Sequence, residues 1–234
     1  MKLFLFICLA TLFASSYGWA QTADDELLLP PSSCVFSGDF KQSKHLKGLP
    51  APIESSGQFF YHCDLGVIWK TISPIEETLV LTNIGESFII ENNQSKPLKS
   101  QQSKLLSELI NGLMGANQQY INENFQIRKQ SITTAEAFTL IPKKRRLKRG
   151  LKQIDLSFAA ESLSSNSEEV LISILDRNKQ WTHIKSTKYT DYSSNLLDNS
   201  LNLIEQCSTS AAFSKYECQL LFQSCQKPPF EKPQ

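Results

Sequence analysis

Three histidines and six cysteines are the side chains best suited to catalysis or metal binding, and their spacing favours neither. His45, His62 and His183 stand apart from one another, without a His-Glu-x-x-His element, and read as exposed or strand-surface imidazoles. No GxSxG elbow, phosphate loop or dinucleotide glycine pattern occurs in the chain. Cys8 falls in an N-terminal apolar segment, which leaves Cys34, Cys63, Cys207, Cys218 and Cys225. None of these forms a Cys-x-x-Cys pair, so zinc and thioredoxin-type redox chemistry are poorly supported. Disulfides are the use that remains, and the odd count leaves one thiol over. Cys218 and Cys225 are seven residues apart. On one helix their rise alone separates them by about 10 Å, too far to bond. A bridge from Cys207 to one or the other is favoured. The expectation is therefore no catalytic group, no metal and no cofactor: a protein that is not an enzyme.

One charged feature stands out. Lys143, Lys144, Arg145, Arg146, Lys148, Arg149 and Lys152 follow Pro142 and precede the strand at Ile154. Such a run is either a solvated hairpin tip or a docking patch for anionic headgroups or an acidic partner. Each surface Lys or Arg gains about 1 kcal/mol near anionic lipid. A formal net charge of +1 implies no general attraction to nucleic acid. The acidic stretches Asp24-Asp25-Glu26 and Glu168-Glu169 are too short to interpret.

The chain opens on Met1-Lys2, runs apolar from Leu3 to Phe13, and leaves through small residues ending at Gly18 and Ala20. This is the pattern of a secretory signal peptide over 1–20, with cleavage after Ala20 and Gln21 as the mature N-terminus. The apolar core is too short for a permanent anchor. Export to the periplasm follows as the expectation. One domain is expected over 21–190, a helical, cysteine-bearing extension over 191–226 and a disordered tail over 227–234.

The elements that must position these residues are mostly strands. Candidates are 35–43, 58–63, 67–71, 78–82 and 88–91, then 137–141, 153–158, 169–175 and 181–187. Their short connections predict antiparallel neighbours. The period changes over 101–113, where Leu105, Leu106, Leu109, Ile110 and Leu113 recur at helical spacing. A second short helix is expected over 117–124, with Phe125 and Ile127 entering the next strand, and a helical pair over 195–207 and 211–225.

Several strands are apolar on both faces. Val67 and Trp69 oppose Ile68, Phe88 and Ile90 oppose Ile89, and Val170, Ile172 and Ile174 oppose Leu171 and Leu175. A sheet with one wet face alternates apolar and polar residues, so these strands need cover on two sides. A curved sheet with helices in its mouth provides that cover, and an acyl chain can replace the helices. Each buried methylene contributes about 0.8 kcal/mol.

The order of motifs resembles the LolA-type outer-membrane lipoprotein carrier family from about Phe36 to Lys188. The resemblance rests on Phe40-Lys41-Gln42, Leu46-Lys47-Gly48-Leu49 with Pro52, Ser56-Gly57-Gln58-Phe59 and Gly66-Val67-Ile68-Trp69 with Pro74. It continues through the 105–113 helix, Phe125, Phe138-Thr139-Leu140-Ile141-Pro142, Ile154-Asp155-Leu156, and the Val170 strand with its Asp176-Arg177-Asn178 turn. It implies an α+β, mostly β fold: a curved antiparallel incomplete barrel, with helices covering the open side. It implies carriage of acyl chains toward the outer membrane, between an inner-membrane donor and an outer-membrane acceptor, by a monomer that touches the membrane transiently and binds no nucleic acid. The lipid-binding residues on this reading are Phe59, Tyr61, Val67, Trp69, Val80, Phe88, Ile90, Leu105, Leu109 and Leu113. The docking patch is Lys143, Lys144, Arg145, Arg146, Lys148 and Arg149. The chain departs from the family where it reads Tyr61-His62-Cys63 and Val67-Ile68-Trp69, without the family's second-strand Arg and its Phe-Arg-Trp third strand. That form resembles a divergent branch associated with other outer-membrane lipids. The alternative reading is a lipoprotein-sensing module of the same fold.

Overall fold

The computed structural model describes residues 34–92, 94–115, 117–132, 135–159, 168–191, 204–205, 207–208 and 213–223. The expected signal peptide, Cys225 and the expected tail lie outside these residues.

Eleven strands form one antiparallel sheet in the order β6-β5-β4-β3-β2-β1-β11-β10-β9-β8-β7. They are β1 Val35–Lys44, β2 Ile53–His62, β3 Gly66–Ser73, β4 Glu77–Thr82, β5 Phe88–Glu91, β6 Gln94–Pro97, β7 Phe125–Ile132, β8 Ala135–Pro142, β9 Leu151–Ala159, β10 Glu168–Asp176 and β11 Trp181–Asp191. Every pairing joins strands consecutive in sequence except β1 with β11, while the consecutive β6 and β7 lie at opposite edges, so two meanders join along one seam. The edge strands β6 and β7 do not pair with each other, and the curved sheet is an open half-barrel. Register shifts at Ser37/Gly38, Ser56/Gly57 and Leu175/Asp176 insert bulges, which bend and twist the strands. Gly66 turns the β2–β3 hairpin at a φ of 124°, a conformation that L side chains rarely adopt.

Among the described residues, four helices with defined bounds accompany the sheet: α1 Ser100–Met114, α2 Gln118–Asn124, α3 Arg145–Lys148 and α4 Lys215–Gln223. α2 is capped by Asn117, whose side chain accepts from Tyr120 N at 2.9 Å. α4 starts on a capping box. Ser214 N donates to Glu217 Oε2 at 2.6 Å, and Glu217 N donates to Ser214 Oγ at 3.2 Å.

Two elements differ from the sequence expectation. β6 is an edge strand of four exposed residues, without the apolar alternation that marks a half-buried strand. α3 lies inside the basic run, where a plain hairpin tip was one expectation. Its Leu147 is 2 % exposed and packs with Phe138, Leu140 and Ile154, which pins the connection to the core.

Register divides the side chains between the faces. On the inner face, Phe36, Tyr61, Val67 and Leu81 lie in one cross-strand row. Phe40, Phe59 and Trp69 join them in one cluster. Ile154, Leu156, Phe138 and Leu140 continue the inner face on the second meander. On the outer face Val35, Phe60, Ile68 and Val80 pack against Phe213, Cys218, Leu221 and Phe222 around α4. The outer face of the second meander is polar, with Thr139 donating to Asp155 at 2.7 Å and Lys185 paired with Glu169 at 2.8 Å. Leu171 there is 45 % exposed, so β10 is covered on its inner side only.

Candidate lipid-binding face

α1 is the element that faces the inner surface, and its sequence gives it three stripes. Leu105, Leu109 and Leu113 recur every four residues and pack toward Phe125, Phe138 and Ile154 of the second meander. Ile110 and Met114 pack toward Tyr61, Val67 and Leu81 of the first. Ser107 and Asn111 form a polar stripe that reaches the β4–β5 turn. The helix thus bridges the two halves of the inner face.

Trp69 sits where the first meander meets that bridge. Its ring stacks on Phe40 at 4.0 Å between centroids and on Phe59 at 5.8 Å. Phe59, Tyr61 and Val67 are buried, whereas Trp69 stays partly open. So do Leu79, Ile184, Ile172, Ile174, Phe158 and Ile127 along the same face. The inner surface is largely apolar and is not fully covered by the helices, with Lys129 Nζ over the Phe138 ring at 5.7 Å from its centroid. Such a surface offers mainly hydrophobic contact to a chain-like ligand.

The expected lipid-binding set divides on this geometry. Phe59, Tyr61, Val67 and Trp69 are brought together on the first meander, and Leu105, Leu109 and Leu113 face the second meander from α1. Val80, Phe88 and Ile90 do not join them. Val80 pairs with Ile68 and with Phe88, and Thr78 pairs with Ile90, so all three point to the outer face beneath α4. The cause is parity: Trp69 pairs with Leu79, and a one-residue step along a strand reverses the face. Leu79 and Leu81 are the inner residues of β4 that the sequence reading passed over.

Polar contacts fix α1 at its open edge. Ser107 Oγ donates to Thr82 O at 3.1 Å and approaches Asn83 Oδ1 at 3.3 Å, and Asn111 Nδ2 donates to Asn83 Oδ1. On the other side Arg146 Nη2 lies 2.8 Å from Glu108 Oε2. The helix ends over Tyr61, whose hydroxyl lies so close to Gly115 that a Cβ there would be 2.4 Å away. Burial, with the nearby Asp64 carboxylate, pushes the Tyr61 phenol up to about 12.

Of the docking-patch residues, Lys143, Lys144, Arg145, Arg146, Lys148 and Arg149 are all exposed. Lys143 Nζ donates to Asn122 O at 2.6 Å, and Arg146 holds Glu108, so these two also tie the β8–β9 connection to the helices.

Two disulfides are present among the described residues, Cys34–Cys63 and Cys207–Cys218. The second is one of the two pairings expected for Cys207, and both fit an oxidising compartment. Cys34, His62, Cys63 and Asp64 place their ligand atoms within 4.8 Å of one another. The Cys34–Cys63 bond consumes the two thiolates such a metal site would need. Burial holds the His62 imidazole below its ordinary value of 6.5, with Asp64 acting in the opposite direction. No helix among the described residues is long and apolar enough to cross a membrane.

No protein-family model and no curated protein sequence matches the chain. Among solved structures, the chain is similar to a LolA superfamily protein from Nitrosomonas europaea, with 12% identity over 76% of this chain and 95% of that one and a TM-score of 0.39.

Proposed function

We propose that this protein is a non-catalytic carrier that binds acyl chains on the inner face of its half-barrel and moves them through the periplasm. The observation that supports this reading is the partly open apolar surface around Trp69, which α1 covers incompletely. A globular core closes such a surface, because each buried methylene contributes about 0.8 kcal/mol. A carrier leaves part of it for the ligand. The opposite face of the same strands is sealed by α4, so the incomplete cover is confined to one side. The cysteine bridges suit an exported protein, and the donor and acceptor would be membrane proteins at either side of its route.

Binding of a fluorescent fatty-acid analogue tests this directly. The wild-type chain should bind it, and Trp69→Glu should abolish binding while the far-ultraviolet circular dichroism stays β-rich. A folded wild-type protein that leaves the probe free in solution would overturn the reading.

A further inference from the structure

Eight large hydrophobic side chains are exposed among the described residues, and four of them, Leu49, Ile53, Ile72 and Ile75, lie at one end of the sheet. Ile75 is 76 % exposed and sits in the β3–β4 turn. Ile72 is the extra residue of a bulge. Thr71 pairs with Gly57 and Ser73 with Ser56, which leaves nothing opposite it. Leu49 lies in the β1–β2 connection, and Ile53 opens β2 opposite Lys44. Single exposed hydrophobics are ordinary, but four on adjoining connections mark a contact surface.

Cations gather at the same end. The β1–β2, β8–β9 and β10–β11 connections all lie there, and backbone bonds fasten them side by side. Arg177 N donates to Gly150 O at 3.1 Å, and His45 N donates to Trp181 O at 2.8 Å. Lys47, Arg177 and Lys179 are exposed and extend the basic run of the β8–β9 connection across the end. The one acid in these connections and the β3–β4 turn is Glu76, which lies 3.2 Å from Lys70. At the opposite end the β2–β3 and β4–β5 turns carry Asp64 and Glu86 and no cation. The sheet is thus charged unequally along its strands.

Apolar tips set among cations select the partner. An acidic protein answers the charges but needs a pocket shaped for each protruding isoleucine. An anionic bilayer answers both, because its headgroups meet the cations and the boundary beneath them takes apolar side chains at any position. We propose that this end of the half-barrel docks end-on against an anionic lipid surface, with Ile72 and Ile75 entering the boundary between headgroups and acyl chains and the cations resting on the headgroups. The docking does not require the acyl-binding reading, so the two can be tested apart.

The test is sedimentation with vesicles of the chain from Gln21, free of acyl ligand and of the apolar run of the expected signal peptide. It should bind mixed phosphatidylglycerol–phosphatidylcholine vesicles in low salt and pure phosphatidylcholine vesicles far more weakly. Ile72→Ser combined with Ile75→Ser should leave the melting temperature unchanged, since both side chains are exposed. The pair should weaken binding to the anionic vesicles about tenfold. Ile84→Ser, an equally exposed site at the opposite end, should change nothing. Arg177→Glu combined with Lys179→Glu should weaken binding about tenfold in low salt and match the wild type once salt screens the charges. A wild-type chain that stays in solution with anionic vesicles would overturn the proposal. So would an isoleucine pair that binds like the wild type, or an Ile84→Ser loss as large as the pair's. Displacement of the wild type by polyglutamate with no effect of the isoleucine changes would make this end a site for an acidic protein instead. Each of these failures leaves acyl-probe binding on the inner face standing.

Discussion

On the outer face of β1–β5, α4 is bonded into the sheet by every means available to it. Cys218 and Leu221 have no exposed surface, and the Cys207–Cys218 bridge holds the segment before the helix. The buried Glu217 closes the capping box, accepts from Thr78 Oγ1 at 2.6 Å and lies 3.4 Å from Lys70 Nζ. On the inner face of the same strands, α1 has no covalent link and no N-terminal side-chain cap. It rests on partly buried leucines and a few polar contacts at the β4–β5 turn. The difference teaches which cover is permanent. α4 completes the core, whereas α1 is held by contacts that an apolar ligand could replace.

The largest expected effect breaks the outer seal. Leu221→Ala should cost about 3 kcal/mol of stability in denaturant unfolding, typical for a fully buried leucine. Leu109→Ala on α1 should cost about 1 kcal/mol, because that side chain is only partly buried. Equal losses at the two sites would erase the distinction between the faces. Removing the Cys207–Cys218 bridge by a paired change to serine should cost about 2 to 3 kcal/mol, given its short loop, and should leave acyl-probe affinity unchanged.

The polar fastening of α1 comes next. Ser107→Ala removes the donor to Thr82 O and should cost about 1 kcal/mol. On the carrier reading α1 is the displaceable cover, so the same change should speed the release of a bound acyl probe in stopped-flow exchange. A stability loss with an unchanged release rate would make α1 a fixed part of the core.

How far the sequence carried follows from where each signal is stored. The apolar runs of β2, β3 and β4 and the leucine spacing of α1 are local, and each element was found, with β2 starting five residues before its expected position. The face to which Val80, Phe88 and Ile90 point is not local. It depends on the β3–β4 register, which the turn between Ser73 and Glu77 sets, and one residue of slip exchanges the faces. β6 carries four exposed residues and no burial pattern to find. α3 is held by one buried leucine among charges, a long-range contact that a basic run conceals. The α4 capping box, Ser214 with Glu217 three residues on, is a local signal that the sequence reading passed over.

A smaller effect should appear on acidification, and it acts on the outer side. His62 packs edge-on to Phe222 of α4 and accepts from Asp64 N at 3.2 Å through Nδ1. Its folded value lies below the ordinary 6.5, so the unfolded chain takes up a proton first as the pH falls. The stability contributed by the neutral imidazole is complete above about pH 6.5 and declines as the pH drops through the folded value. His62→Gln should flatten the decline in melting temperature as the pH falls below about 6.5. An unchanged pH profile would mean that other groups govern it.

The smallest effect on stability, and the sharpest test of the comparison, lies in the β8–β9 connection. Its charges seal neither face of the sheet. Leu147 anchors the connection and Arg146 holds Glu108, but Lys144, Arg145, Lys148 and Arg149 are exposed. Reversing these four to Glu while keeping Arg146 and Leu147 should change stability by no more than about 0.5 kcal/mol. Acyl-probe affinity should also hold, since apolar burial sets retention while rim charges set association rate. Transfer of the probe to vesicles containing anionic lipid should slow about tenfold in low salt, a modest share of the attraction such residues have for that surface. The wild-type rate should fall toward the variant's as salt rises, because the Debye length shrinks to about 3 Å at 1 M. Transfer to neutral vesicles should be the same for both proteins. If the fourfold variant delivers probe to anionic vesicles at the wild-type rate in low salt, the connection is a solvated turn held by one leucine, and delivery depends on the inner face alone.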